Sequence, residues 1–239
     1  MRYVIYGAGA IGGTIGARLH MLGRDVALLA RGAHLEHLSR DGLVFSEPEG
    51  STTLRIPAFE SPSAASIASD DVVILAMKSN DTAAALDALA LAAPPDVVLV
   101  CAQNGVNNER LALRLFARVY GALVIVSADH LEPGAVSRFG HPFVGVLDVG
   151  RYPAGIDEMA GTLAEDFRAA GFRSEADADV MAAKYRKLYF NLGNIVHALV
   201  GAGNGGDVID EARLEAEAVF ESAGIAMIGL EEDRRRRQG

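Results

Sequence analysis

Six residues near the start do most to limit what this chain can become: Gly7-Ala8-Gly9-Ala10-Ile11-Gly12. They follow Arg2–Tyr6, which reads as a strand, and they open Ala10–Leu22, which has helical spacing. Glycines at this spacing between a strand and a helix have separate jobs. The first permits a tight turn, the second lets a ligand approach the backbone, and the third allows close helix–strand packing. The helix start adds free N–H groups and partial positive charge, which together take phosphate. An ordinary glycine turn would match the spacing but not the strand, loop and helix in register. The segment predicts a dinucleotide-binding unit with all six residues near the pyrophosphate.

The rest of the first ~170 residues keeps the same rhythm. Asp25–Ala30, Val72–Met77 and Val97–Ala102 are strand-length apolar runs, and residues 81–91 and 107–118 carry helical spacing. Fully apolar strands separated by helices imply a parallel sheet covered on both faces. Residues 42–60, rich in Pro, Gly, Ser and Thr, interrupt the rhythm and read as a polar hairpin. Residues 119–149 are β-rich, with turns at Pro133-Gly134 and His141-Pro142; a helix over 153–170 and a short strand at 172–175 follow. After residue 176 the character changes: one long helix from Asp177 to Val200, a glycine-rich turn over 201–206, a helix over 207–223 and a short tail. The expected fold is α/β: a Rossmann-type doubly wound sheet over 1–175, then an all-helical segment over 176–239.

The end of the second strand distinguishes the two nicotinamide dinucleotides. An NAD site places an Asp or Glu there for the ribose 2′-hydroxyl. Here the strand runs into Arg31, with no acid until Glu36. A guanidinium suits a 2′-phosphate, so NADPH is the expected cofactor. Lys78 and Gln103-Asn104-Gly105 follow the next two strands, at the edge where open α/β sheets bind ligands. Lys78 adds charge near the cofactor and Asn104 offers an amide to cofactor and substrate; a solvated lysine and simple turn chemistry are the alternatives.

The helix MAAKYRKLYFNLGNIVHALV is mostly apolar, yet Lys184, Lys187, Asn191 and Asn194 follow one another at steps of three, four and three. Such steps keep them within an arc of ~80°. A helix edge facing water would also be polar, but with mixed charge rather than two asparagines, which are poor helix formers. A ligand cleft explains the stripe better. When hydride reaches a carbonyl carbon, charge grows on the oxygen; a lysine ammonium there stabilises it and delivers a proton.

Together, GAGAIGG, Ala30-Arg31-Gly32, the Lys78 and Gln103-Asn104-Gly105 loops and the KLxxN run Lys187–Asn191 resemble the ketopantoate reductase (2-dehydropantoate 2-reductase) family from Met1 to about Gly224. The glycine loop alone is generic; its combination with Asn104 and the Lys187/Asn191 helix is specific. The resemblance implies NADPH-dependent reduction of 2-dehydropantoate or a related 2-oxo acid. It implies Lys187 as proton donor, Asn191 on the substrate, Asn104 between cofactor and substrate, and the Asn204-Gly205 turn facing the substrate. It also implies an incomplete C-terminal domain like that of 6-phosphogluconate dehydrogenase, because family chains carry a substrate-binding serine and a glutamate in further helices. Family members place the second helix asparagine four residues after the first and before a proline; here Asn194 comes after three, before Ile195. Two alternatives stay open: a member that binds NADPH with little turnover, serving as a binding or regulatory module, and an opine or glycerol-phosphate type of dehydrogenase.

Composition narrows the partners. A net charge of −9 argues against nucleic acid, and no apolar run approaches the ~20 residues of a membrane span. The start leaves no room for a signal peptide, and a single cysteine, Cys101 in an apolar run, fits a reducing cytoplasm. Six scattered histidines give no metal site. Acids at 231–233 precede the arginines 234–237 at the spacing of i,i+4 pairs on a solvated helix. Apolar residues of the helical segment are expected to be covered by association, giving a homo-oligomer.

Overall fold

The computed structural model describes residues 1–237, and the chain divides into two compact units, Met1–Val180 and a second from Met181 onward. The first unit opens with strand β1 (Tyr3–Tyr6), helix α1 (Ala10–Met21), β2 (Val26–Leu29) and α2 (Gly32–Arg40). A hairpin of β3 (Leu43–Glu47) and β4 (Gly50–Leu54) follows, then β5 (Ala58–Phe59) and the short α3 (Pro62–Ala65). Next come β6 (Val72–Leu75), α4 (Thr82–Ala90), β7 (Val98–Cys101) and α5 (Asn108–Ala112). Strands β8 (Arg118–Ile125), β9 (Ala128–Asp129), β10 (Ala135–Arg138) and β11 (Val146–Arg151) lead to α6 (Glu158–Ala169).

The main sheet runs β11-β8-β7-β6-β1-β2-β5, parallel throughout except for the β11–β8 edge pair. Strands β1, β2, β6 and β7 are almost wholly apolar because neither face meets water. Alternation splits their side chains between two cores. Tyr3, Ile5, Leu28, Ile74 and Val100 pack with Ile15 and Leu19 of α1 and Leu163 and Phe167 of α6. Val4, Val73, Leu75 and Leu99 pack with Leu86 and Leu89 of α4 on the other face. The chain winds from β1 to β2 on one side and returns to β6 on the other, so β1 is the topological switch point.

The residues expected to form a polar hairpin do so as β3 and β4, but they also join a second sheet, β4-β3-β10-β9, in which β10 lies parallel to β3. That pairing joins residues about 90 positions apart, beyond the reach of local pattern. Two other expectations change. The helical spacing over 107–118 yields only α5, and the strand expected at 172–175 makes only isolated bridges to β11.

The second unit is helical among its described residues: α7 (Val180–Asn191, starting at the boundary), α8 (Gly193–Val200), α9 (Gly206–Ser222) and α10 (Leu230–Arg237). The single long helix expected from Asp177 to Val200 is therefore interrupted at Leu192. Gly193 is buried, and a Cβ there would lie 3.4 Å from Ile209 of α9, so a residue of weak helix propensity marks a close helix–helix approach. The expected tail contains α10, where Arg236 and Arg237 pair with Glu232 and Asp233 at i,i+4. Asp233 is buried, so this helix is only partly solvated. No described helix is long and apolar enough to cross a membrane.

Candidate functional site

Register lines up the loops that make the site. Tyr6 pairs with Leu29 of β2 and Leu75 of β6, so the loops after β1, β2 and β6 leave the sheet side by side. Between them lies a cleft of about 520 Å³. Gly7 and Ala8 of the glycine loop, Ala30 and Arg31 after β2, and Met77 after β6 line it, together with His34, Glu60, Asp81, His130 and the alanines 84, 85 and 88 of α4.

The three glycines divide the work as the spacing requires. Gly7 has φ +100°, and a Cβ there would lie 2.7 Å from the Met77 backbone nitrogen. A Cβ on Gly12 would collide with the Gly7 carbonyl and with Ala76 and Ile5. Gly9 differs: its φ is an ordinary −75°, and the nearest atom to a Cβ would be His130 Cδ2, at 3.9 Å. The fold leaves space above Gly9, at the start of α1, whose first turn has neither a side-chain cap nor an acidic residue. Its leading N–H groups are the kind of orphan donors that bind phosphate. The loop residues therefore fit a dinucleotide pyrophosphate.

His34 holds this loop in place, a role that nothing in the sequence signalled. Its Nδ1 accepts from the Gly134 N–H at 2.9 Å, so its Nε2 carries the proton and donates to the Ala8 carbonyl at 2.8 Å. Burial pushes the His34 pKa below the usual histidine value; the Ala8 bond opposes the shift, and His130 and His37 add to it. Neutral His34 thus ties the glycine loop to the turn before β10, a hundred residues away.

Arg31 lies at the cleft rim, exposed, with Nη2 3.7 Å from Asp81 Oδ2. Lys78 is exposed after β6 and is not among the cleft-lining residues. Asn104 is exposed after β7, and its carbonyl accepts from Ser79 Oγ at 3.1 Å and Asn108 Nδ2 at 3.0 Å. A buried chain anchors both loops. Gln103 Nε2 donates to the Met77 carbonyl at 3.0 Å and to Thr82 Oγ1 at 2.8 Å, while Thr82 donates to Asn108 Oδ1 at 2.9 Å.

In the second unit, Lys184, Lys187 and Asn191 follow one another on α7, whereas Asn194 lies beyond the interruption, exposed on α8. The four-residue stripe on one continuous helix is therefore corrected to three residues plus one. Lys184 is buried and Lys187 partly so. Burial, then the neighbouring charges of Lys184 and Arg237, bring the Lys187 ammonium down to a pKa of about 8. Asn204 is exposed, and its Nδ2 donates to the Val200 carbonyl at 3.0 Å, closing the turn after α8.

A glycine loop that opens a helix at the switch point of a doubly wound parallel sheet is the arrangement of the Rossmann-type, dinucleotide-binding folds. Residues 3–153 match the family described as ketopantoate reductase PanE/ApbA. The 2-dehydropantoate 2-reductase of Pyrococcus horikoshii is 32% identical, over 95% of this chain and 74% of its own length. That of Mesorhizobium japonicum is 31% identical, over 94% of this chain and 77% of its own. The fold is similar to that of a PanE/ApbA family ketopantoate reductase from Ralstonia eutropha JMP134, with a TM-score of 0.82 at 27% identity, covering 96% of this chain and 77% of that one. The chain belongs to the ketopantoate reductase family, whose members are nicotinamide-dependent oxidoreductases.

Proposed function

We propose that the chain reduces 2-dehydropantoate, or a related small 2-oxo acid, to the 2-hydroxy acid with NADPH. One observation carries the reading: in a chain of the ketopantoate reductase family, Lys187 heads the KLxxN run partly buried on α7, where burial and like charge bring its pKa to about 8. Such a lysine is protonated at neutral pH and yields its proton readily.

The six loop residues Gly7 to Gly12 would hold the pyrophosphate, Arg31 the 2′-phosphate, and Lys78 and Asn104 the neighbouring sheet edge. When bound, the nicotinamide would supply hydride to a carbonyl carbon. Lys187 Nζ would stabilise the charge growing on the carbonyl oxygen and donate a proton to it, while Asn104, Asn191, Asn194 and Asn204 would orient the substrate's carboxylate and hydroxyl groups. For Asn204 the support is narrower, because its amide nitrogen already closes a turn. We also propose a cytoplasmic homo-oligomer. The lone buried thiol of Cys101 supports the compartment, and exposed Ile195, Leu199, Val208 and Leu214 support association.

NADPH oxidation against a panel of 2-oxo acids tests the reading, with Lys187→Ala as the key variant. That change should lower kcat by about 10²–10³, the usual cost of a lost electrostatic donor, while NADPH binding stays near normal. Near-normal kcat in the variant would overturn the role of Lys187. Tight NADPH binding with no turnover of any 2-oxo acid would favour the binding-module alternative.

A further inference from the structure

No acid stands at the end of β2, where the loop carries Arg31. The folded chain brings two acids to the same cleft from distant segments: Glu60, just beyond β5, and Asp81, just before α4. Asp81 is the one that reaches Arg31, at 3.7 Å. Its carboxylate has little other employment. It stands at the N-cap of α4 without making a side-chain cap, and it accepts from the neighbouring Asn80 amide at 3.3 Å. Its side chain is 43% exposed, so it supports no core.

We infer that Asp81 is a second specificity residue, opposing Arg31 in the choice between the two nicotinamide dinucleotides. The inference rests on the proposed reading of Arg31. A 2′-phosphate drawn to Arg31 would share the guanidinium with Asp81 and sit beside its negative charge, with Glu60 on the same cleft. A 2′-hydroxyl meets no such penalty and finds in Asp81 the carboxylate acceptor that NAD sites commonly provide from the end of the second strand. The site is thus built as a counterbalanced pair, and its preference for NADPH is held well below what Arg31 alone would give.

Dissociation constants for NADPH and NADH, from fluorescence titration of the wild type, Asp81→Asn and Arg31→Ala, test this without any turnover. Asparagine keeps the shape and is an equally good N-cap residue, so the fold is retained. Asp81→Asn should tighten NADPH by about fivefold, the scale of one exposed ion pair, and leave NADH unchanged or weaker. The gain should shrink as salt is raised. An unchanged NADPH affinity, or equal shifts for both cofactors, would overturn the inference. Arg31→Ala separates the two levels. If it collapses the NADPH preference and Asp81→Asn does not move it, only the role of Asp81 falls; if Arg31→Ala leaves the preference intact, the reading of Arg31 fails and this inference with it.

Discussion

At the scale of single residues, the lysines of α7 show how neighbours set chemistry. If Lys187 is the proton donor proposed above, the reaction should fail as pH rises through about 8 rather than near 10.5. Burial is the larger cause of the shift, with Lys184 and Arg237 behind it. Lys184→Met removes one like charge and should move the alkaline limb of the kcat profile upward without restoring it to the ordinary lysine value. A limb that stays in place would mean that Lys184 does not act on Lys187. That Lys187 and Asn191 share a helix was legible in the sequence because the KLxxN run has helical spacing in an apolar stretch. The contacts of His34 and Asp81 were not, since each meets a partner far away in sequence.

The glycine loop and α1 form the element whose sequence said most. Two substitutions in it should separate folding from binding. Gly12→Ala drives a Cβ into the Gly7 carbonyl and should cost about 1–3 kcal/mol of stability as well as cofactor affinity. Gly9→Ala meets nothing closer than 3.9 Å, so its stability loss should stay below about 1 kcal/mol. Its cofactor affinity should nevertheless fall severely, because the methyl group fills the space left for the pyrophosphate. Thermal melts with NADPH titrations check both. A Gly9→Ala protein that binds normally would place the phosphates elsewhere. Other elements were less legible. The helix expected over 107–118 fails beyond Ala112 because the chain must turn back to begin β8 at Arg118, a demand of the sheet rather than of local propensity.

For the whole molecule, the second unit leaves large apolar side chains in water: Leu199 is 80% exposed, Ile195 70% and Leu214 66%. Burying each gains roughly 1.5–3 kcal/mol, so association through α8 and α9 is the expected outcome. Sedimentation at micromolar concentration should give a dimer or larger species, and Leu199→Glu with Leu214→Glu should shift it toward monomer. A monomeric wild type that binds no hydrophobic dye would contradict this.

The sequence by itself determined the strand–loop–helix with its three glycines, the parallel sheet, and the placing of Lys184, Lys187 and Asn191 on one helix, because each is written in local periodicity or in a short motif. Tertiary structure alone decided what surrounds them. The parallel pairing of β3 with β10, the His34 tie to Ala8 and Gly134, and the arrival of Asp81 beside Arg31 all join segments tens of residues apart. A local pattern reports which face of an element is apolar. It does not report which charges meet across a cleft, since that depends on strand order and on how the loops leave the sheet.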